Sequence, residues 1–306
     1  MGLGYLLRRL AIMVPVFFLV VTIVFFMIRF APGGPFDGEK AVSPEILRNL
    51  NEKYHLNDPL LVQYGNYLKD LLQGDLGPSF KYANRTVNEL IANSLPVSLE
   101  LGSIALVWAL VIGLLAGGLA AMKPNTLWDY IPMSFSVMGI CLPTFVTGPL
   151  LVLVFGIWLE WLPVGGWDAP EDRILPSLTL GFAYAAFISR LTRGGLMEIR
   201  NQDFIRTARA KGLSETRILL VHSLRGGLLP VVSYLGPALA GIIAGALVTE
   251  TIFNIPGLGR FFIQSAVNRD YTVVMGTALL YFTLIFVCNF FVDIVYAVLD
   301  PRVKYE

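Results

Sequence analysis

Long apolar runs, broken by short polar stretches, dominate the chain. Six of them, about 9–30, 96–122, 130–159, 174–194, 229–252 and 273–299, reach spanning length. A bilayer core of about 30 Å needs roughly 20 apolar residues of α-helix, so the pattern predicts six transmembrane helices. The third run is long enough to be tilted, or broken at Pro143 and Pro149. The first run has the outline of a signal peptide, with Arg8 and Arg9 before it and the small residues of "RFAPGGP" after it. Its apolar stretch of about 19 residues exceeds a usual signal core and reads as a retained anchor.

Between the first two runs, residues 31–95 carry helix signals rather than linker composition. Ser43-Pro44 predicts one helix through Tyr54. Asp58-Pro59 predicts a second through Gln73, stopped by Gly74, with Leu60, Leu61, Tyr64, Tyr67, Leu68, Leu71 and Leu72 at helical spacing. Thr86-x-x-Glu89 is a capping box for a third. The apolar face of the second helix requires cover from the membrane or from neighbouring helices. Its purpose is either packing onto the protein's own outer surface or reception of a partner. Asn84-Arg85-Thr86 matches a glycosylation sequon, a pattern short enough to arise by chance.

Composition agrees with a membrane protein: the chain's 306 residues are 55% hydrophobic and 15% charged, with a mean hydropathy of +0.66. The net charge of +1 and the absence of a basic, aromatic-studded surface argue against a nucleic-acid partner. Cys141 and Cys288 sit in apolar runs as small hydrophobes, and His55 and His222 have no ligands at metal spacing. No Gly-Lys dipeptide occurs, so this chain carries no P-loop. No carboxylate pair or Ser/His/Asp set placed for catalysis is identifiable, so no enzyme is expected.

The distribution of basic residues sets the expected orientation. With the N-terminus inside, the cytoplasmic ends carry Arg8, Arg9, Lys123, Arg190, Arg193, Arg200, Arg206, Arg209, Lys211, Arg217, Arg225, Arg302 and Lys304, against Arg29, Arg173, Arg260 and Arg269 outside. Both termini are thus expected in the cytoplasm. Glu100, Glu250 and Asp293 fall near span ends and need partners there, which makes them structural candidates. Gly113-x-x-x-Gly117 and Gly241-x-x-x-Gly245 allow close helix approach, either within the chain or at a seam with a second membrane subunit.

Within the apolar chain, "RTARAKGLSETRILLVHSLRGG" (206–227) stands out as basic and helical. Asp203 is the expected N-cap of "FIRTARAK", Gly212 the residue able to take φ > 0, and Ser214 the cap of a second helix over about 215–224. Helices this short gain their stability from packing, so something covers them. A soluble protein and the lipid headgroups fit equally on physics alone, the latter through Arg206, Arg209, Lys211 and Arg217. The alternative for Gly212 is an ordinary helix C-cap and nothing more, and for the arginines a solvated or lipid-facing inner rim.

This segment resembles the loop of bacterial ABC importer permeases whose pattern is Glu-Ala-Ala, three residues, then Gly. In register with Gly212 the chain has Arg206-Thr207-Ala208, matching the last Ala and the Gly. It also has Leu224-Arg225 where many relatives have Leu-Pro, its proline lying at Pro230. "FIRTARAKGL" is similar to the form of the peptide-importing branch. "RFAPGGP", "YHLNDPLLVQYGNYLKDLLQGDLGPSF", "ETIFNIPGLGRF" and "YAVLDPR" occur in the order expected of peptide and nickel importer permeases. Within that branch the chain is most similar to the first permease subunit of oligopeptide importers.

The resemblance implies an all-α integral membrane protein of the type I ABC importer permease kind, in the bacterial cytoplasmic membrane. Its parts are the first span (1–30), an extracytoplasmic helical segment (31–95) and a five-helix core (96–306) with a coupling loop at 195–228. It implies half of a pathway for oligopeptide uptake, shared with a second homologous permease and fed by an extracytoplasmic peptide-binding protein. Two separate ATPase subunits hold the ATP and Mg, and this chain holds no cofactor. Arg206, Thr207, Ala208, Arg209, Gly212 and Arg217 are the candidates for ATPase docking, Ala208 by close approach and the arginines by meeting acidic groups. Glu250, Pro256, Gly257 and Gly259 are the candidates for an outer gate, since "IFNIPGLG" ends the fifth span and turns the chain. The rivals are an ion-coupled secondary transporter, against which the crowding of ionisable residues at span ends argues, and a membrane scaffold that anchors soluble proteins.

Overall fold

Helices account for nearly all of the chain's regular structure, as the apolar periodicity requires. The computed structural model describes residues 3–31, 34, 36, 48, 51–52, 54–82 and 84–299, with the backbone alone over 3–10 and 292–299. Of the helix expected from Ser43-Pro44 through Tyr54, Arg48, Asn51 and Glu52 are helical and Tyr54 is in a turn. The rest of it, the side chains of Arg8, Arg9 and Asp293, and the terminal Arg302 and Lys304 lie outside the described residues. In order the helices are α1 (Leu3–Phe30), α2 (Leu60–Leu72), α3 (Val87–Met122), α4 (Leu127–Cys141), α5 (Thr144–Leu151), α6 (Ile174–Arg200), α7 (Asp203–Ala210), α8 (Glu215–Arg217), α9 (Leu229–Ile252), α10 (Leu258–Val267) and α11 (Tyr271–Leu299).

Five helices are long and apolar enough to span a bilayer: α1, α3, α6, α9 and α11. The pair α4 and α5, extended by a π-helical stretch over Val152–Trp158, passes the same test together and is bent by 115° at the break between its halves, so the described helices make five spans, or six where the bent pair counts as one. Of the two prolines named from the sequence, Pro143 lies at the break, whereas Pro149 lies inside α5. Leu142 precedes a proline and is driven from helical to extended backbone (φ −88°, ψ 119°), and Pro143 itself is extended.

The described residues pack as two units, Ser98–Pro256 with Leu284–Glu306, and Gly2–Val97 with Gly257–Thr283. In the first, α6 is the helix others pack around. A Cβ added at Gly113 of α3 would fall 2.8 Å from the Ala185 carbonyl, and one at Gly117 would fall 2.4 Å from that of Ser189. From the α9 side, a Cβ at Gly241 would meet the Tyr184 hydroxyl at 2.4 Å and one at Gly245 would meet Leu180 at 3.1 Å. Both small-residue stripes therefore serve contacts onto α6 within this chain. The α4–α6 contact is tied by an ion pair. Asp129, 2% exposed, accepts from Arg193 Nε at 2.6 Å and Nη2 at 2.7 Å, and from the Asn125 backbone N–H at 2.9 Å. A buried charge unpaired at this depth is expensive, and the bidentate geometry offsets that cost.

In the second unit, Tyr64 and Tyr67 of α2 pack their rings on Phe25 of α1, and the Tyr64 hydroxyl shares a 2.7 Å hydrogen bond with Thr22. Gly74 ends α2 with φ +77°. The capping box forms as read: Thr86 N–H donates to Glu89 Oε2 and Glu89 N–H to Thr86 Oγ1, both at 3.2 Å. Asp270, fully buried, caps α11 and also accepts from Ser79 Oγ and the backbone N–H groups of Phe80 and Lys81.

Candidate functional site

The basic loop is a small folded unit. α7 closes in a Schellman turn: Leu213 N–H donates to the Ala208 carbonyl at 3.3 Å and Gly212 N–H to that of Arg209 at 2.9 Å, with Gly212 at φ +79°. Ser214 then caps α8, its Oγ accepting from Arg217 N–H at 3.4 Å. From α8 the helix widens to π over Ile218–Ser223 and tightens again over Leu224–Gly227. One expected cap differs. Asp203 is the first residue inside α7 and Gln202 occupies the cap position without a side-chain bond; Asp203 instead places a carboxylate in the first turn and pairs with Arg206 at 3.4 Å.

Ile205, Ala208 and Ile218 are buried together, flanked by Ile199 and Leu213. Ala208, expected to admit a partner's close approach, is only 6% exposed because it fills this core. Arg209, expected to meet acidic groups on a partner, forks onto Glu215 across the turn, Nε to Oε1 at 2.6 Å and Nη2 to Oε2 at 3.1 Å. That hydrogen bonding holds the Glu215 carboxyl below the usual carboxylate range and raises Arg209 above its own. Arg206, Thr207, Gly212 and Arg217 stay exposed. So do three apolar side chains: Phe204 at 49%, Leu220 at 59% and Val221 at 60%.

The unit is braced on the spans at both ends. Arg200 donates from Nη1 to the carbonyls of Ala121 (3.0 Å) and Met122 (3.3 Å), satisfying the last turn of α3. Gly195 of α6 lies so close to Gly227 that a Cβ there would fall 2.1 Å from the Gly227 carbonyl. Arg200, at the end of α6, and the Gly195–Gly227 approach thus tie the two ends of the loop to α3 and α6. From the sequence, Arg200 reads only as one of the inside charges, and Glu215 is not singled out. The acid-base pair six residues apart around a glycine turn was the available signal for Glu215.

The second predicted constellation follows α9, and Asn254, not a glycine, makes its turn. Asn254 sits at φ 58°, with Ile255 N–H donating to the Glu250 carbonyl at 2.9 Å. Gly257 is extended (φ −93°, ψ 174°) as the residue before α10, and Gly259 lies inside α10. Glu250 is fully buried and accepts from Ser98 Oγ at 2.6 Å, while Pro256 stays exposed. Elsewhere in that unit Glu100 accepts from Arg173 Nε at 2.6 Å and from Trp167 Nε1 at 3.3 Å, as a structural residue would. Among the described residues no cluster of three or more metal-ligating side chains occurs.

Comparison with known proteins covers both halves of the chain. Residues 109–305 match the family described as "Binding-protein-dependent transport system inner membrane component", and residues 2–102 match its N-terminal companion. The chain is 51% identical over 305 residues to the oligopeptide transport system permease protein OppB of Salmonella typhimurium, covering 99% of this chain and 100% of that one. It is 40% identical over 300 residues to the dipeptide transport system permease protein DppB of Bacillus subtilis, covering 98% and 97%. Among solved structures, a chain of the inward-facing MetNI methionine ABC transporter superposes with a TM-score of 0.59 at 17% identity, covering 69% of this chain and 96% of that one. That likeness shows the same fold. This chain belongs to the binding-protein-dependent transport system inner membrane components.

Proposed function

We propose that the chain is a permease subunit of an ATP-driven importer, forming with a second homologous permease the pathway for oligopeptides. The peptides come from an extracytoplasmic binding protein, and two separate ATPase subunits carry the ATP and Mg. The observation that carries this reading is the basic loop. A folded helix–turn–helix unit braced on α3 and α6 exposes the apolar Phe204, Leu220 and Val221 and the basic Arg206, Lys211 and Arg217. Exposed apolar anchors and cations on one small unit suit a groove with an acidic rim on a soluble partner.

In this reading both termini and the loop face the cytoplasm, and Gly212 sets the angle at which α7 meets the ATPase. ATP-driven closure of the ATPases favours one permease conformation only through differential affinity for it, since equal binding to both shifts nothing. The turn bearing Glu250, Pro256, Gly257 and Gly259 is assigned to the outer gate, with Glu250 as its buried anchor. The oligopeptide cargo rests on full-length identity to the Salmonella typhimurium protein.

Affinity purification of the tagged chain in mild detergent tests this, with Gly212→Trp alongside. Recovery of a second permease and ATPases, the ATPases depleted by the substitution, is the expected result. Recovery of the chain alone, with solute uptake into vesicles that needs no ATP, would sink the proposal in favour of ion-coupled transport.

A further inference from the structure

In the unit formed by Gly2–Val97 and Gly257–Thr283, a cavity of about 350 Å³ opens where α1 ends. Its wall includes Arg29, Gln63, Tyr67, Lys69, Asp70 and Asp75. Three buried polar atoms there lack a hydrogen-bond partner: Arg29 Nε, the Tyr67 hydroxyl and Gln63 Oε1. Orphaned buried groups are rare because water satisfied them before folding, so three around one cavity point to a ligand.

The orphans differ in chemistry. Among the described residues no carboxylate lies within ion-pair distance of Arg29; its guanidinium stands over the Phe25 ring at 5.4 Å and the Tyr271 ring at 5.7 Å. Ring contacts occupy the planar face and leave the N–H edge for an acceptor. Burial pushes the Tyr67 phenol up from its ordinary value, so it stays a protonated donor. Together they offer a cationic and a neutral donor, the pairing that suits a phosphate oxygen. Gln63 offers the opposite. Its Nε2 donates to the carbonyls of Leu56 (3.0 Å) and Asp58 (2.8 Å), which fixes the amide and leaves Oε1 as an acceptor. Asp70 and Asp75 add negative charge to the wall, Asp75 already accepting from Gly77 N–H at 2.8 Å, and Lys69 adds a cation.

A ligand matching both sets carries an oxyanion and an ammonium. The cavity's depth says where such a ligand is found: Arg29 is the penultimate residue of the apolar span Ala11–Phe30, at headgroup level. We propose that this cavity binds a phosphoethanolamine headgroup, phosphate on Arg29 and Tyr67, ammonium on Gln63 Oε1 and the Asp70–Asp75 side. A phospholipid and free phosphoethanolamine share that chemistry.

Native mass spectrometry of the full-length protein in its natural assembly, released from nanodiscs, tests the proposal. Wild type should retain phosphatidylethanolamine about tenfold more than Tyr67→Phe does, the scale of one lost charge-assisted hydrogen bond. It should also prefer that lipid to phosphatidylcholine, whose quaternary ammonium has no N–H for Gln63. Arg29→Gln should lose retention as well, and Tyr67→Phe keeps the ring against Phe25 should Arg29→Gln fold poorly. Thermal stabilisation of delipidated wild type by free phosphoethanolamine, absent in Tyr67→Phe and without retained lipid, would name the free molecule as ligand. Equal retention by wild type and Tyr67→Phe, with equal response to free phosphoethanolamine, would overturn the site.

Discussion

The turn after α7 and the turn after α9 share one backbone design and differ in everything around it. Each bonds a sixth residue back to the first, Leu213 to Ala208 and Ile255 to Glu250, and each places its fifth residue at positive φ. At Gly212 an added Cβ would meet nothing within 4 Å. Around Asn254 the flanking Phe253 and Ile255 are fully buried, and Glu250 with them. The first turn is a presented corner whose requirement is a backbone angle. The second is a corner enclosed at its flanks, Asn254 itself staying exposed, and its requirement is space around those flanks. The same motif thus serves display in one place and anchorage in the other, and substitutions separate the two.

The enclosed turn breaks most easily from its neighbour. A Cβ at Gly165 would fall 2.6 Å from the Phe253 carbonyl, which also accepts from Gly166 N–H at 3.0 Å. Backbone meets backbone here, so no side chain can yield. Gly165→Ala should cost about 3 kcal/mol by overpacking and loss of that hydrogen bond, read as a lower unfolding midpoint in detergent. A melting curve like that of wild type would mean that the enclosure is slack.

Next in size is the carboxylate at that turn's origin. Ser98→Ala removes a 2.6 Å donor from the fully buried Glu250 carboxyl group, a loss of about 1–3 kcal/mol for a buried polar group deprived of a hydrogen bond. Ser98→Thr retains the hydroxyl and should recover most of it. Equal destabilisation by both substitutions would assign the effect to packing rather than to the hydrogen bond.

What the sequence revealed of these turns followed the range of the interactions. The spans were legible because length and apolarity decide membrane insertion locally. Thr86 with Glu89 and Gly212 were legible because a cap and a left-handed corner involve neighbours a few residues apart. Asn254 was hidden by Pro256, Gly257 and Gly259, which carry the stronger turn signals yet lie beyond the corner. Asp129 with Arg193, 64 residues apart, and Ser79 with Asp270, 191 apart, had no sequence signature, since only the packed helices bring them together. Ala208 is instructive because its spacing from Ile205 did place both on one helix face, and the reading of Ala208 as a partner contact passed over that periodicity.

The displayed turn should respond to angle alone. Gly212→Val puts a β-branched residue at φ +79°, where the strain is about 1–2 kcal/mol, while Gly212→Asn, tolerant of that region, should cost only a few tenths. Under the docking proposal, valine reduces ATPase recovery from solubilised membranes and asparagine largely preserves it. Equal loss with both would point to a need for bare backbone at the partner surface, and the comparison with the enclosed turn would have to be redrawn.

The smallest effect belongs to the ion pair that straddles the displayed turn. Glu215, with its side chain 57% exposed, is held below its ordinary value by hydrogen bonding to Arg209. A depressed carboxylate stabilises the folded state fully above its unfolded value of about 4.3, and that stabilisation fades as the pH falls through the lower folded value. Arg209 stays protonated throughout, so the carboxylate alone sets the window. Solvent screening limits the pair to under about 1 kcal/mol, and Glu215→Gln should lower the unfolding midpoint slightly at neutral pH. The gap between wild type and Glu215→Gln should narrow below about pH 4 and also shrink at high salt. A gap that persists under both conditions would mean that Glu215 holds the turn by shape and not by charge.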